Sequence, residues 1–388
     1  MELDLGWLLI GVPVVFALGW MASRLDLRQL RRQRDDSPRA YYKGLNLLLN
    51  EQADKAIDAF IEAVQDDPDT TELHFALGNL FRRRGEFERA VRVHEHLLQR
   101  ADLKAVDRHR AQRALAQDFM QAGLFDRAEQ AWAQLLGSPH DAQARLALLT
   151  LAERSRDWPR ALELARALQA AGDAGFASRI AHYECELAEA ADAQARPEEA
   201  AAAVQRARSA APHSPRPLLL AGQRAARQGR HGDALQAWDE LRSAHPAAFL
   251  LVAEDYAAAA LAAGQRETAQ AARATLAAQL QQQPAVELVL ALDRLEGDPG
   301  TNDGRLARRQ AQLQRQPTLS SSLLVLEEPH AGWPDEVQPA LREAVARAAR
   351  PLQRYRCASC AFEAQHHFWQ CPGCLNWDSY PPQRIDAL

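Results

Sequence analysis

Residues 71–98 read TELHFALGNLFRRRGEFERAVRVHEHLL. Leu73, Leu77, Leu80 and Phe81 recur at helical spacing in the first half, and Phe87, Ala90, Val91 and Leu97 in the second. This spacing predicts two short amphipathic helices joined at Arg84-Gly85. Gly85 suits the left-handed residue that ends a helix. Gly78 lies inside the first helix, where Gly costs about 1 kcal/mol relative to Ala. Its presence there predicts a second helix packed too close for a Cβ. A hairpin of this size cannot bury its apolar face alone, so it requires neighbours.

The neighbours are in the same chain. Gly44 and Gly78 stand 34 residues apart, as do Ala56 and Ala90. Upstream, Gly44, Leu47, Ala56, Phe60, Ala63 and Pro68 fill the small, large and stop positions of the tetratricopeptide pattern in order. The phase returns at Leu115, Phe119, Gly123, Ala128 and Trp132, and then at Leu148, Ala161, Ala165 and Leu168. Leu187, Ala188, Ala200, Ala207 and Pro212 continue it, followed by Gly222, Gly229, Ala234, Trp238, Leu241 and Pro246. Gly264, Ala269 and Leu276 form a weaker seventh copy. Ala is abundant in this chain, so the Gly, Pro and aromatic matches carry the reading.

A repeat array grows by stacking and has no single closed core, so the length of 388 residues does not translate into a domain count. A formal net charge of −5 argues against general nucleic-acid binding, which calls for a basic domain. The expected fold class is all-α: a tetratricopeptide helical-repeat superhelix over residues 40–282 and degenerate capping helices over 283–350. A small four-cysteine domain over 351–388 follows. Before the repeats, residues 5–23 contain no charged side chain. As a helix they span about 28 Å, close to a bilayer core. Trp7 and Trp20 lie near the ends of this span, where interfacial aromatics belong. A cleaved signal peptide fits less well, because Glu2 and Asp4 replace a basic leader and no small-x-small site follows. Residues 1–23 are therefore expected to be a transmembrane anchor and 24–39 a linker. Arg24, Arg28, Arg31, Arg32 and Arg34 set the orientation, with the N-terminus periplasmic and the bulk cytoplasmic.

The first helix of each pair is expected to line a concave face. Phe75, Asn79, Arg82 and Arg83 from one repeat and Arg110, Arg113 and Gln117 from the next would form a partner groove there. Such forks suit a carboxylate or an acidic peptide; the alternative is a set of solvated polar positions. His94, Glu95 and His96 lack the one-turn spacing of two metal-binding histidines and suggest a charged helix face. Cys185 reads as a small buried hydrophobe. No phosphate-cradling loop, nucleophile elbow or dinucleotide fingerprint occurs, and no constellation argues for catalysis.

Four of the five cysteines fall within residues 357–374, as Cys357-x2-Cys360 and Cys371-Pro-Gly-Cys374. Two C-x-x-C turns facing each other make a tetrahedral all-sulfur cage for one ion. Softness and geometry allow either zinc or a single iron. So small a domain depends on its metal for folding. His366 and His367 lie between the pairs, but four thiolates complete the shell, and exposed loop positions are expected for both. Where such knuckles place Gly after the second cysteine, this chain has Ala361, which predicts strain or an altered turn.

The run LGNLFRRRGEFERAVRVH (77–94), together with YRCASCAF and WQCPGCLNW between Tyr355 and Trp377, resembles the lipopolysaccharide assembly protein B family of Gram-negative bacteria. The likeness extends over essentially the whole chain. It implies a rubredoxin-type metal site on Cys357, Cys360, Cys371 and Cys374, holding iron or zinc. It also implies a non-enzymatic inner-membrane adaptor that regulates lipopolysaccharide synthesis. Its partners would be the lipid A pathway deacetylase, a membrane-anchored ATP-dependent metalloprotease and other lipopolysaccharide assembly proteins. A rubredoxin-like electron-transfer protein and a chaperone-docking scaffold are the alternatives.

Overall fold

The computed structural model describes residues 53–66, 70–172, 174–296, 302–328 and 337–387, with single positions 14, 16, 20, 21, 43, 46 and 47 before them. The expected anchor (1–23) and linker (24–39) otherwise lie outside the described residues, as do Gly44, Pro68, Gly297, Pro299 and Gly300. Val14, Phe16, Trp20 and Met21 are helical and exposed. Among the described residues no helix is long and apolar enough to cross a membrane. The chain divides into two compact units, Met1–Leu151 and Ala152–Leu388.

In the first unit the helices are α1 (Ala53–Asp66), α2 (Thr71–Arg83), α3 (Phe87–Gln99), α4 (Ala105–Gln121) and α5 (Phe125–Ala133). The next helix, α6 (Asp141–Ser155), runs across the sequence boundary. Ala56, Ile57, Phe60, Leu73, Leu77, Leu80, Phe81 and Ala90 bury one another, which is the apolar face that the hairpin could not cover alone. The second unit continues with α7 (Trp158–Ala170), α8 (Ala177–Ala193), α9 (Pro197–Ala210), α10 (Pro215–Arg227), α11 (His231–Ala244), α12 (Ala253–Ala262) and α13 (Arg266–Gln282). Trp238, Leu241, Phe249, Tyr256, Leu276 and Leu288 lie in its largest core cluster.

Five of the hairpins turn by one device. The backbone N–H of Glu86, Leu124, Asp157, Arg196 and Arg230 donates to the carbonyl five residues earlier, at 2.9 Å in every case. The residue just before each donor has positive φ: Gly85 (80°), Gly123 (74°), Arg156 (57°), Ala195 (55°) and Gly229 (73°). This is the helix-ending motif that Gly favours because it lacks a Cβ. Gly78 meets the close-packed helix that the sequence predicts. A Cβ there would overlap the imidazole of His94, so a ring on the partner helix, rather than its backbone, excludes the side chain. Gly222 sits against the indole of Trp238 in the same way.

Beyond the regular hairpins come α14 (Val286–Glu296), α15 (Asn302–Arg315), α16 (Leu319–Leu326) and α17 (Val337–Ala349). They are tied by charge as well as by apolar packing. Arg308 reaches Asp293 and Glu296, each at 2.6 Å. Arg309, itself buried, reaches Asp293 at 2.8 Å and the Leu324 carbonyl at 2.6 Å. A strand pair follows, β1 (Tyr355–Arg356) antiparallel to β2 (Glu363–Ala364).

Candidate metal centre and its seat on the repeats

The two cysteine turns have the same backbone. The Cys357 N–H donates to the Phe362 carbonyl and the Ala361 N–H to the Cys357 carbonyl, both at 2.9 Å. Fourteen residues on, Cys371 N–H donates to Asn376 and Leu375 N–H to Cys371, again at 2.9 Å. The β1–β2 pair closes the first turn, and a bridge between Gln370 and Trp377 closes the second. Ala361 (φ 61°) and Leu375 (φ 60°) occupy the left-handed position of each turn. The strain expected at Ala361 is therefore matched at Leu375, about 1–2 kcal/mol for each Cβ held in that region.

All four Sγ atoms lie within 4.8 Å of one another. Cys357 and Cys374 are 3.8 Å apart and Cys360 and Cys371 3.6 Å. A tetrahedron with metal–sulfur bonds of about 2.3 Å has edges of about 3.8 Å, so the sulfurs are already spaced for one ion. None of the four is in a disulfide. Burial alone would raise the Cys357 thiol, but its hydrogen bond with the Ser379 hydroxyl and those with the amides of Cys360 and Ser359 bring it down to about 6. Cys360 behaves oppositely. The Phe362 amide lowers it, but desolvation and the three neighbouring sulfurs push it up to about 12. Four crowded sulfurs cannot all carry charge by themselves, whereas a divalent cation would hold every one as thiolate. The donor set fits zinc or iron equally.

The second turn also makes the seat. Trp377 stacks on His182 of α8, with ring centroids 4.6 Å apart and planes 19° from parallel. It meets the edges of Trp158 and Tyr183 at 5.9 and 5.8 Å. Its indole N–H donates to Glu153 at 2.9 Å, and the Tyr183 hydroxyl donates to the same oxygen. Next to it, Asp378 accepts from His182 Nε2 at 2.8 Å and from the Ser178 hydroxyl at 2.9 Å. His182 is wholly buried, and its Nδ1 lies 3.5 Å from the guanidinium of Arg216. Arg216, also buried, holds Glu186 and Glu189 at 2.7 and 3.1 Å and lies over Trp369. The imidazole thus donates to a carboxylate on one side and faces a cation on the other, the arrangement of a neutral ring.

A sequence profile described as "Rubredoxin metal binding domain" matches residues 355–381. Lipopolysaccharide assembly protein B of Escherichia coli (strain K12) is 32% identical over 395 residues, covering 100% of both chains. The chain belongs to the lipopolysaccharide assembly protein B family. The protein of that name from Haemophilus influenzae is 28% identical, over 96% of each chain. Among solved structures, a tetratricopeptide repeat protein from Parabacteroides merdae ATCC 43184 is 13% identical, with a TM-score of 0.30. It aligns over 80% of this chain and 98% of its own.

In this member of the lipopolysaccharide assembly protein B family, the residues expected to line a partner groove are largely engaged internally. Phe75 is buried, and the Arg110 guanidinium lies 4.0 Å from its ring centre while pairing with Glu72. Arg82 holds Asp118 at 2.9 Å and the Ala114 carbonyl at 3.1 Å, with Asn79 accepting from its other nitrogen. Arg83 is exposed, Gln117 is half-buried, and Arg113 has a buried Nε with no hydrogen-bond partner among the described residues.

The histidines also depart from expectation. His94 is not on a charged face. It is wholly buried, its Nδ1 pairs with the carboxylate of buried Asp118, and Gly78 leaves room for its ring. His366 is exposed as expected, but His367 packs among Tyr355, Trp369 and Tyr380 and bonds the Tyr380 carbonyl at 3.2 Å. Cys185 is buried as expected, and burial pushes its thiol up to about 12. Glu153, Ser178, His182 and Arg216 carry no signal in the sequence, because what they meet lies far along the chain.

Proposed function

We propose that the protein is a non-enzymatic scaffold regulating lipopolysaccharide synthesis at the inner membrane, presenting the lipid A pathway deacetylase to a membrane-anchored ATP-dependent metalloprotease. Full-length similarity to relatives named for lipopolysaccharide assembly supports the pathway. The observation that carries the scaffold reading is the seat of Trp377 and Asp378 on α8, which joins the metal turns to the helices of the second unit. The metal, zinc or iron on Cys357, Cys360, Cys371 and Cys374, serves to hold those turns.

Residues 5–23 act as the anchor in this proposal. Val14, Phe16, Trp20 and Met21, apolar and exposed, are side chains that a bilayer would cover. Confining a scaffold and its clients to one membrane raises their effective concentration, and such linkage can add about 10² to 10⁴ in avidity without new contacts. Arg83, Arg113 and Gln117 remain the groove positions best placed for a client's acidic segment.

Capture of the full chain from solubilised membranes tests the proposal. It should recover both a protease and the deacetylase, and depletion should lengthen the deacetylase half-life. An unchanged half-life sinks the adaptor reading. An anchorless chain that restores normal lipopolysaccharide at native abundance removes tethering from it.

A further inference from the structure

The four sulfurs of the metal centre are not equally accessible. Cys357 and Cys371 are buried, at 1% and 0% exposure, and Cys374 is intermediate. Cys360 is exposed. The exposed sulfur lies 3.6 Å from that of Cys371, so the sulfur that solvent reaches first already touches one that solvent does not reach.

Cys371 also leads into the seat. Its N–H is held by the Asn376 carbonyl, and the Asp378 N–H by the Trp369 carbonyl at 2.9 Å. The two residues after Asn376 are Trp377 and Asp378, which bond Glu153, Ser178 and His182. Any displacement of the Cys371 sulfur therefore acts on the short segment that docks on α8.

We propose that the centre is an oxidation-sensitive latch, in which a peroxide oxidises Cys360, a disulfide to Cys371 follows, and the seat on α8 is released. The inference rests on the metal-site reading above. The Cys360 sulfur attacks one peroxide oxygen, becoming a sulfenic acid and expelling hydroxide. The Cys371 sulfur then attacks the sulfenic sulfur, forming the S–S bond and expelling a second hydroxide. Two thiolates lose two electrons in all, the peroxide gains them, and two protons from solvent complete two waters. Closing the pair from 3.6 Å to a bond of about 2.05 Å draws Cys371 out of its turn. Cys357 and Cys374 are left with half a shell, and the ion leaves. Thiol reductants and fresh metal reverse the step, since sulfenic acid and disulfide are the reversible stages of cysteine oxidation.

The experiment uses the full chain, solubilised, purified without oxygen and assayed for metal before anything is added. Hydrogen peroxide is then titrated in. Released metal, disulfide-linked peptides and protease cleavage near residues 350–355 are followed together. The expected result is loss of about one metal per disulfide, with Cys360–Cys371 as the link, Cys185 untouched, and new cleavage appearing as metal leaves. Before oxidation, N-ethylmaleimide should modify Cys360 roughly tenfold faster than Cys357 or Cys371, following exposure. Dithiothreitol with added metal should return the original cleavage pattern.

A disulfide set lacking Cys360, metal retained after Cys360 is oxidised, or an unchanged cleavage pattern once metal is gone would each overturn the proposal. A chain purified without metal fails at the first measurement, and it overturns the metal-site reading rather than the latch.

Discussion

Trp238 in the repeats and Trp377 in the metal domain do similar jobs in different surroundings. Trp238 is wholly buried in a cluster with Leu218, Leu241, Phe249 and Tyr256 drawn from successive helices, so many side chains share the task of holding it. In the metal domain that carries Trp377, the buried apolar cluster is Tyr355, Cys357, Cys371 and Tyr380, and two of these four are sulfur donors. A core that small does not outweigh the entropy of ordering some 35 residues, whereas the repeat cores grow with every added helix. Removal of metal should therefore separate the two regions.

The largest expected effect is that of Cys371→Ser combined with Cys374→Ser. Half the shell is lost, and the folding free energy supplied by a structural metal is on the order of 10 kcal/mol. Metal content should fall below a tenth, and amide protection over residues 355–380 should vanish while helicity stays near that of the parent. Repeats that melt together with the turns would break the comparison.

Trp377→Ala should act on the joint alone. It removes the stack on His182, two edge contacts and the bond to Glu153, at a cost of about 2–4 kcal/mol to docking. Metal should remain bound at one per chain, while hydrogen exchange accelerates on both faces of the joint. Loss of metal in this variant would mean that the seat helps build the cage, and the two regions would then be less separate than their cores suggest.

Acidification probes the same joint more gently. Burial is the main reason that His182 is held below its ordinary range, with Arg216 also opposing protonation; Asp378 and Glu186 favour it but do not prevail. A histidine depressed in the folded state contributes fully above its unfolded value of about 6.5 and loses that contribution as pH falls below it. Burial would raise Asp378, but the hydrogen bond from His182 and the neighbouring Ser178 and Arg216 hold it below its ordinary value. Its share is accordingly lost only at lower pH, as the carboxylate itself protonates. Amide exchange over residues 374–380 should rise from about pH 6.5 downward, and His182→Gln should flatten the first part of that rise. A profile that stays level to pH 5 would overturn the neutral-ring reading.

The smallest effect is expected at a turn. Ala195 stands where Gly85, Gly123 and Gly229 stand in other hairpins, with φ of 55°. Ala195→Gly should stabilise by about 0.5–1 kcal/mol, the relief of a left-handed Cβ less the extra entropy of glycine. Chemical denaturation of parent and variant measures it.

These turns also show what the sequence makes legible. Glycine at 85, 123 and 229 announces a positive φ in the letters themselves, so the hairpin phase is readable. Arg156 and Ala195 adopt the same backbone unannounced, held there by the carbonyl–amide bonds of their turns. The cysteine cage is legible because each pair is local and its spacing alone brings two sulfurs to one point. His94 is misleading for the opposite reason. Glu95 and His96 beside it suggest solvent, while its partner Asp118 lies on another hairpin, 24 residues away. The groove residues mislead similarly, because Arg82 and Arg110 find their carboxylates 36 and 38 residues along. The seat is the least legible feature, since nothing periodic connects Glu153 or His182 to a tryptophan more than 190 residues later.

That separation has a consequence in time. Trp377 meets Glu153 across 224 positions of sequence, and Asp378 meets Ser178 across 200. Closing so long a loop from an unfolded chain costs about 5 kcal/mol, most of which the intervening helices remove if they form first. During synthesis, α6, α7 and α8 are complete long before residue 377 exists, and until then Glu153, Tyr183 and His182 face water. A nascent or truncated chain that lacks residues 377 and 378 is thus distinguished from one that has them by a polar, aromatic notch at α8, which only residues made some 200 positions later fill.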